Sequence, residues 1–171
     1  MSVVVEERLT ELFSFLPEIG EWGKPKYYFG DDKEINSLIK VSGGNIYPLI
    51  YQTSNRFNEN AKNPNVVEAD LTFVLAVQNT VPMFNSNRWA TSYRNVLRPL
   101  YENIKILFSK ANIIVSDFEY QVDTTPNYSE TESKEKNKFI DIVDALVVSV
   151  TLKITSGCIN TVALNNEKIW H

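Results

Sequence analysis

Apolar and polar residues alternate along three segments of the chain with the period of two that is typical of β-strands. In VEADLTFVLAVQ one side carries Leu71, Phe73, Leu75 and Val77, and the other side carries Asp70, Thr72, Val74 and Ala76. The segment NIIVSDFEYQV (112–122) alternates in the same way, and so does DALVVSVTLKIT (144–155). These segments predict three strands, each with one apolar face.

A fourth strand is predicted over IYPLIYQT, Ile46 to Thr53, which is rich in aromatic and β-branched residues. Its Pro48 cannot donate a backbone hydrogen bond, so we expect this strand to lie at a sheet edge or to be interrupted at the proline. Before it, KPKYYFG (24–30) favours a short strand or an extended link.

The strongest helical pattern runs from Asn87 to Lys110, where apolar residues recur every three or four positions. The stripe consists of Trp89, Tyr93, Val96, Leu97, Leu100, Ile104, Leu107 and Phe108. Pro99 removes one backbone hydrogen bond in the middle, yet the stripe keeps its phase, so we predict one kinked helix. Two shorter helices are predicted, from Ser2 to Leu16 and over DDKEINSLIKVSGG (31–44).

Together these segments predict an α+β fold with a mainly antiparallel sheet of about four strands and helices packed on one face. We expect a single domain over residues 1–171, because a chain of this length buries a sufficient core without disulfides or metals. Two polar connections, 54–65 and 124–137, are longer than hairpin loops usually are. They are either solvated excursions or arms that contact another subunit, and we favour arms.

Charge and cysteine content narrow the class of protein. With 17 basic and 21 acidic residues the formal net charge is −4, which argues against a dedicated nucleic-acid binder but allows DNA to pass nearby. The one cysteine, Cys158, excludes an intramolecular disulfide. The first twenty residues carry acids where a secretory signal needs positive charge, so we expect cytoplasmic synthesis and no membrane partner.

The sequence shows no set of residue types that would combine into a catalytic site. The single histidine is His171, the last residue printed, and it makes a poor general base. The carboxylate pairs come without a second type of ligand; they are Asp31/Asp32, Asp117/Glu119 and Asp141/Asp144. No glycine-rich phosphate loop occurs. We therefore expect no enzymatic activity, no metal and no cofactor.

Several pieces of the chain carry a family resemblance. They are the YPLIY strand, the ADLTFVLAV strand, the helix centre VLRPLYENIK and the final segment NKFIDIVDALVVSVTLKI. In this order they resemble the tail-terminator and head–tail joining proteins of tailed bacteriophages, notably a branch in phages and prophages of Bacteroides-type hosts. The resemblance covers roughly Tyr47 to Ile154.

The resemblance implies a structural protein of the virion, present in the host cytoplasm during assembly. Such proteins form sixfold or twelvefold rings between the portal or adaptor and the tail ring or tube, and DNA passes through them. The polar connections would then be inter-subunit arms. The interface candidates are Arg56, Phe57, Asn58, Tyr128, Glu130, Glu132, Lys134, Glu135 and Lys136. A partner would also cover the apolar back positions Val74, Ala76 and Val147.

Alternatives stay open. Long-tailed and short-tailed phages can share this pattern, so it leaves the position within the neck or tail undecided. A small-ligand-binding or enzymatic α+β domain would need a pocket between sheet and helices. A cleft for a carbohydrate or nucleotide could be built from Tyr27, Tyr28, Tyr47 and Tyr51. A host-side interaction module is the remaining hypothesis.

Overall fold

One mixed sheet forms the centre of the molecule. In this computed structural model residues 3–59, 63, 65–79, 85–115, 119–128, 141–166 and 170 are described. The strands within these ranges are β1 (Lys26–Phe29), β2 (Leu49–Glu59), β3 (Val66–Gln78), β4 (Ile114–Val115), β5 (Tyr120–Thr125) and β6 (Val143–Thr155). Their order is β1-β2-β3-β6, and both β4 and β5 pair with the far edge of β6.

The α+β class is confirmed, but the expectation of about four strands is too low. KPKYYFG contains a strand, β1, which pairs in parallel with β2, whereas the other pairings are antiparallel. The strand predicted over 112–122 is divided into β4 and β5, which follow each other along β6. β2 begins directly after Pro48, so the expected interruption at the proline is confirmed.

Two helical elements cover one face of the sheet, here called the front face. They are α1 (Val5–Phe13) and a long helix made of α3 (Asn85–Arg88), a π-helical segment (Trp89–Leu97) and α4 (Arg98–Lys110). The front-face residues of β3 and β6 are buried against them, as the alternation predicted. The short helix α5 (Thr161–Leu164) adds Leu164 to this main core.

The opposite face, here called the back face, also carries a helix. α2 (Asp32–Ser42) packs Ile35 and Ile39 there, so the prediction that helices cover one face only is wrong. The residues of the sheet in this second core are Leu49, Tyr51, Val74, Ala76, Val143 and Ala145. The expectation that a partner covers Val74 and Ala76 is likewise corrected: the chain's own α2 and tyrosines bury them. The alternation showed apolar back-face residues without showing what covers them.

α2 begins at a tight turn after β1. The Asp31 carboxylate accepts from the backbone N–H of Lys33 at 2.8 Å and of Glu34 at 2.9 Å. The Glu34 carboxylate accepts in return from the Asp31 N–H, which completes a capping box. Gly30 precedes this cap with φ 143, and a Cβ there would overlap the Glu34 carboxylate. Glycine therefore permits this backbone conformation and leaves room for the Glu34 carboxylate at the cap.

The long helix continues across Pro99, as the apolar stripe predicted. All three parts follow each other without a break from residue 85 to 110. Before the proline the hydrogen bonds have the i to i−5 spacing of a π-helix, so the Arg98 N–H donates to the Tyr93 carbonyl. This wider winding replaces the regular ladder next to a residue that lacks an amide hydrogen. No helix in the described part of the chain is long and apolar enough to cross a bilayer.

Candidate inter-subunit surface

The first predicted arm is mostly strand rather than loop. β2 extends to Glu59 because Ser54–Glu59 pairs with Val67–Thr72 of β3. The interface candidates Arg56, Phe57 and Asn58 therefore lie on a β-hairpin, and the long loop predicted over 54–65 is corrected to a strand followed by a short connection. A polar strand at a sheet edge has no apolar alternation, so its sequence was taken for a loop.

The outer edge of this hairpin has no pairing partner in the described part of the chain. β1 pairs with Leu49–Gln52, and the register of β2 shifts between Gln52 and Ser54. Beyond this bulge, no described residue pairs with the outer edge of β2. Phe57 lies opposite Ala69, on the front face, and keeps 39 % of its surface exposed. An unpaired strand edge with an exposed aromatic side chain is suited to adding a strand from another chain.

The back face of the same region is polar. β3 and β6 present three cross-strand pairs there. These pairs are Asp70 with Thr151 at 2.6 Å, Thr72 with Ser149 at 3.2 Å and Glu68 with Lys153 at 3.5 Å. Arg56 of β2 lies beside this ladder, opposite Asp70. The hairpin therefore offers charged and hydroxyl groups on its back face.

The structure describes the two ends of the second predicted arm, at Tyr128 and at Asp141. Tyr128 packs against the second core, and its N–H donates to the Val143 carbonyl at 2.9 Å. The Tyr47 hydroxyl donates to Asp141 Oδ2 at 3.1 Å. Residues 124–128 form the end of β5 and a turn, which shortens the loop predicted over 124–137. Glu130, Glu132, Lys134, Glu135 and Lys136 lie outside the described residues.

A buried polar cluster joins the segments around this second arm. Asp144 is fully buried, and its Oδ1 lies 3.1 Å from Arg88 Nε. The Asn79 side-chain amide donates to Asp144 Oδ2 at 3.0 Å, and the Asn127 N–H donates to Oδ1 at 3.4 Å. Arg88 Nη2 also donates to the Asn127 side-chain oxygen at 3.0 Å. The cluster thus links β3, the long helix, the turn after β5 and the start of β6.

Sequence reasoning missed this cluster, because it considered Asp144 only as part of a carboxylate pair with Asp141. The available signal was one aspartate inside the apolar run IVDALVV. A carboxylate there needs a buried cation, and Arg88 supplies it. Burial, and after it the charge of Asp144, raises the pKa of Tyr93, whose hydroxyl donates to the Ala145 carbonyl at 3.5 Å. This arrangement fixes the base of the second arm.

The four tyrosines proposed for a ligand cleft do not all lie together. Tyr47 and Tyr51 are buried in the second core. Tyr27 and Tyr28 are neighbours on β1 and point to opposite faces, so Tyr27 joins the main core while Tyr28 packs against the second. Burial is the main reason that the pKa of Tyr27 and Tyr47 is raised well above its usual range. The aromatic cleft is therefore corrected to two separate packing sites.

A shallow cleft of about 550 Å³ lies between the end of β1 and α2. Its lining includes Phe29, Ile35 and Leu38, together with Asp31 and Glu34. Both carboxylates already form the capping box of α2, so these polar groups of the cleft have a structural role. Among the described residues, this cleft is a candidate site for the small ligand of the alternative hypothesis.

Three of the carboxylates in the predicted pairs each contact a different structural partner. Asp31 caps a helix, and Asp141 and Asp144 contact Tyr47 and Arg88 respectively. Asp117 and His171 lie outside the described residues. Within the described ranges, no group of three or more His, Cys, Asp and Glu side chains is placed to hold a metal ion.

Comparison with known proteins adds no relative to this picture. No protein-family model and no curated protein matches the chain. Function has therefore to be argued from the residues and contacts of the chain itself.

Proposed function

We propose that this chain is a structural protein of a tailed bacteriophage virion that forms a ring at the head–tail junction, as a tail terminator or a neck ring. The proposal includes a tail-terminator-like fold, a homo-oligomer of sixfold or twelvefold symmetry and no catalytic activity. The ring would join the portal or adaptor to the tail and let DNA pass through its channel. The resemblance of the YPLIY, LRPLYE and final-strand segments supports this proposal.

The observation that carries the proposal is the open hairpin of β2 and β3. β2 continues from Ser54 to Glu59 beyond its last residue paired with β1. This segment exposes Phe57 and leaves its outer backbone edge without a partner among the described residues. Folded monomers usually protect such an edge, because it invites pairing with another chain. A ring subunit has a neighbour to provide that protection.

A second observation concerns the other connection. Both of its ends are held on the body, by the Asn127 contact with Asp144 and by the Tyr47 contact with Asp141. These contacts fix the positions on the subunit at which the charged segment 129–140 begins and ends. A contact segment needs such a fixed origin if every copy in a ring is to place it against the same surface of its neighbour.

The proposed mechanism is geometric. Each subunit presents one surface to the next copy and a different surface to the previous one, because a closed ring requires head-to-tail contacts. Strand edges and charged segments would contact the neighbouring copies, so assembly and function are the same event. The net charge of −4 fits a channel protein that should not hold DNA tightly by phosphate contacts.

The oligomeric state tests the proposal. We expect light scattering and negative-stain electron microscopy of the purified chain to show a ring, with a mass that is a multiple of the 19.6 kDa subunit. Immunogold labelling of the phage particle should mark the head–tail junction. A chain that remains monomeric up to its solubility limit and is absent from purified particles would overturn the proposal.

A loop replacement tests the contribution of the second arm. Deleting all of 124–137 would remove Thr125 from β5 and Asn127 from the buried cluster, so the replacement should cover 130–138 with a glycine–serine linker of equal length. We expect an unchanged thermal unfolding midpoint together with loss of rings in electron microscopy. Rings of normal size from the replaced chain would contradict a contact role for this arm.

A further inference from the structure

Among the described residues, the sheet has a strand edge without a pairing partner on each side. On one side the open edge is Ser54–Glu59 of β2, past the part that β1 covers. On the other side it is Tyr120–Thr125 of β5, which pairs with β6 alone among the described strands. Each edge is six residues long. One protein thus carries two different edges of matching length, which is the requirement for a head-to-tail contact.

We infer that the open edge of β2 in one copy pairs antiparallel with the open edge of β5 in the next copy, so that the sheet continues from subunit to subunit. This inference deepens the proposed function and rests on it. It specifies the surface, the partner and the register of the contact.

Strand directions agree with this arrangement. β2, β3, β6 and β5 each reverse direction relative to the one before. β5 therefore runs opposite to β2 in the same subunit. When neighbouring copies keep the front face on the same side of a continuing sheet, β5 of one copy meets β2 of the other as an antiparallel pair.

Charge selects the register. Arg56 lies on the back face because it pairs with Asp70, and Asp123 lies on the back face because it pairs with Val147. Both side chains are exposed. Placing Arg56 opposite Asp123 of the next copy forms a cross-strand ion pair at an otherwise unpaired edge.

The same register also brings two apolar side chains together on the front face. Phe57 then falls opposite Val122, which is half-buried on the front face because it pairs with Val148. An exposed aromatic ring thereby meets a β-branched side chain, a favourable cross-strand combination. The Cα partners at the two ends are Ser54 with Thr125 and Glu59 with Tyr120, so the two edges overlap along their whole length.

Other registers lose these contacts. A shift by one residue would put Phe57 and Val122 on opposite faces. A shift by two residues would place Arg56 opposite Gln121 or Thr125 and remove the ion pair. Pairing two copies of β2 around Phe57 would set Arg56 opposite Asn58 without a charge partner, and it would close a dimer instead of a ring.

Neighbouring elements leave room for the pairing. β1 ends at Phe29, opposite Gln52, and the bulge at Gln52/Ser54 separates β1 from the open part of β2. β5 ends at Thr125, after which the chain turns at Asn127 with φ 50. In the inferred register this turn falls at the bulge, so the incoming strand stops where β1 ends.

Cysteine pairs test the register. In a Cys158→Ser background, which removes the exposed native thiol, Asn58→Cys and Gln121→Cys place two exposed residues opposite each other across the contact. We expect oxidation of the double variant to give a ladder of covalent oligomers that ends at the ring size. A mixture of the two single variants should give covalent dimers only.

A displaced pair provides the matched control. Asn58→Cys with Thr125→Cys sets the thiols about 13 Å apart along the strand in the inferred register, so we expect little cross-linking. Equal cross-linking of both pairs would overturn the register. Covalent dimers from Asn58→Cys alone would show β2 pairing with itself and overturn the head-to-tail contact.

Charge reversal gives an independent test. Arg56→Asp and Asp123→Arg alone should each weaken self-association about fivefold or more, and the double variant should restore it. Within one subunit the two positions lie three strand spacings apart, about 14 Å, so rescue cannot come from a contact inside the subunit. Arg94→Asp, at an exposed position on the long helix, is the control without effect.

The outcomes separate this inference from the proposed function. The strand pairing would be overturned, and the ring proposal would stand, in either of two cases. In the first, rings form normally but the cysteines at 58 and 121 do not cross-link. In the second, rings form normally although the charges at residues 56 and 123 are reversed one at a time. A chain that never oligomerises would overturn the ring proposal and the pairing with it.

Discussion

The two ends of the β3–β6 pair share strands, register and one buried face, but their back faces differ. At one end Val74 and Ala76 lie opposite Val147 and Ala145, and α2 covers them. At the other end the back-face pairs are polar and carry no helix among the described residues. Two strands can therefore be fully enclosed along half their length and one-sided along the rest. The enclosed half supports the fold, and the one-sided half is available for contacts.

The largest difference should appear when the enclosed end loses its buried charge. Asp144→Ala leaves Arg88 buried without its carboxylate, so we expect the free energy of unfolding to fall by about 3–5 kcal/mol. Asp70→Ala, at the open end, removes an exposed acceptor of the Thr151 hydroxyl and should cost less than about 1 kcal/mol. Urea unfolding of both variants measures this contrast. Equal losses would mean that the two ends contribute alike.

A smaller effect is expected from adjacent back-face positions of β3. Val74→Ala opens a cavity under α2 and should cost about 2 kcal/mol, from two lost methyl groups plus the cavity. Thr72→Ala, one back-face position away, removes a partly exposed hydroxyl contact with Ser149 and should cost at most about 1 kcal/mol. Thermal unfolding of the two variants locates the boundary of the enclosed half. If Thr72→Ala lost more stability than Val74→Ala, the boundary between the enclosed and the one-sided half would not lie between these two residues.

The smallest effect concerns alkaline pH. Burial, then the charge of Asp141 and the hydrogen bond to it, raises the pKa of Tyr47 above its usual value. The folded chain keeps this proton where the unfolded chain loses it, so stability falls as pH rises above about 10. Tyr47→Phe should cost about 1 kcal/mol at neutral pH and make this alkaline decline shallower. An unchanged pH profile of the unfolding midpoint would contradict the assigned cause.

Sequence pattern predicted the strands that follow a simple period. Alternation located β3 and β6 with their front faces, and the helical stripe crossed Pro99 without losing phase. The pattern of apolar and polar residues gave no correct prediction where a residue's role depends on contacts with segments that are distant in the sequence. Nothing in DDKEINSLIK tells which face α2 covers, and the polar residues after Thr53 gave no sign that β3 would hold them as strand.

The candidate site was harder to predict than the fold. Arg56, Phe57 and Asn58 were expected at an interface, but on a loop, and their position on an open strand edge required the register with β3. The importance of Asp144 depended on Arg88, which is distant in sequence and adjacent in space. Periodicity describes one segment at a time, whereas both features arise from pairing between segments.

The central β3–β6 pairing has a consequence for synthesis. Thr72 and Ser149, which face each other across it, are 77 positions apart in the chain, and such distant pairings form late in folding. On the ribosome β3 would emerge with β2 already at one edge, while its other edge waits until β6 has been translated. Throughout that interval the long apolar strand β3 is exposed to aggregation, so a chaperone bound to the nascent chain would be needed most between these two events.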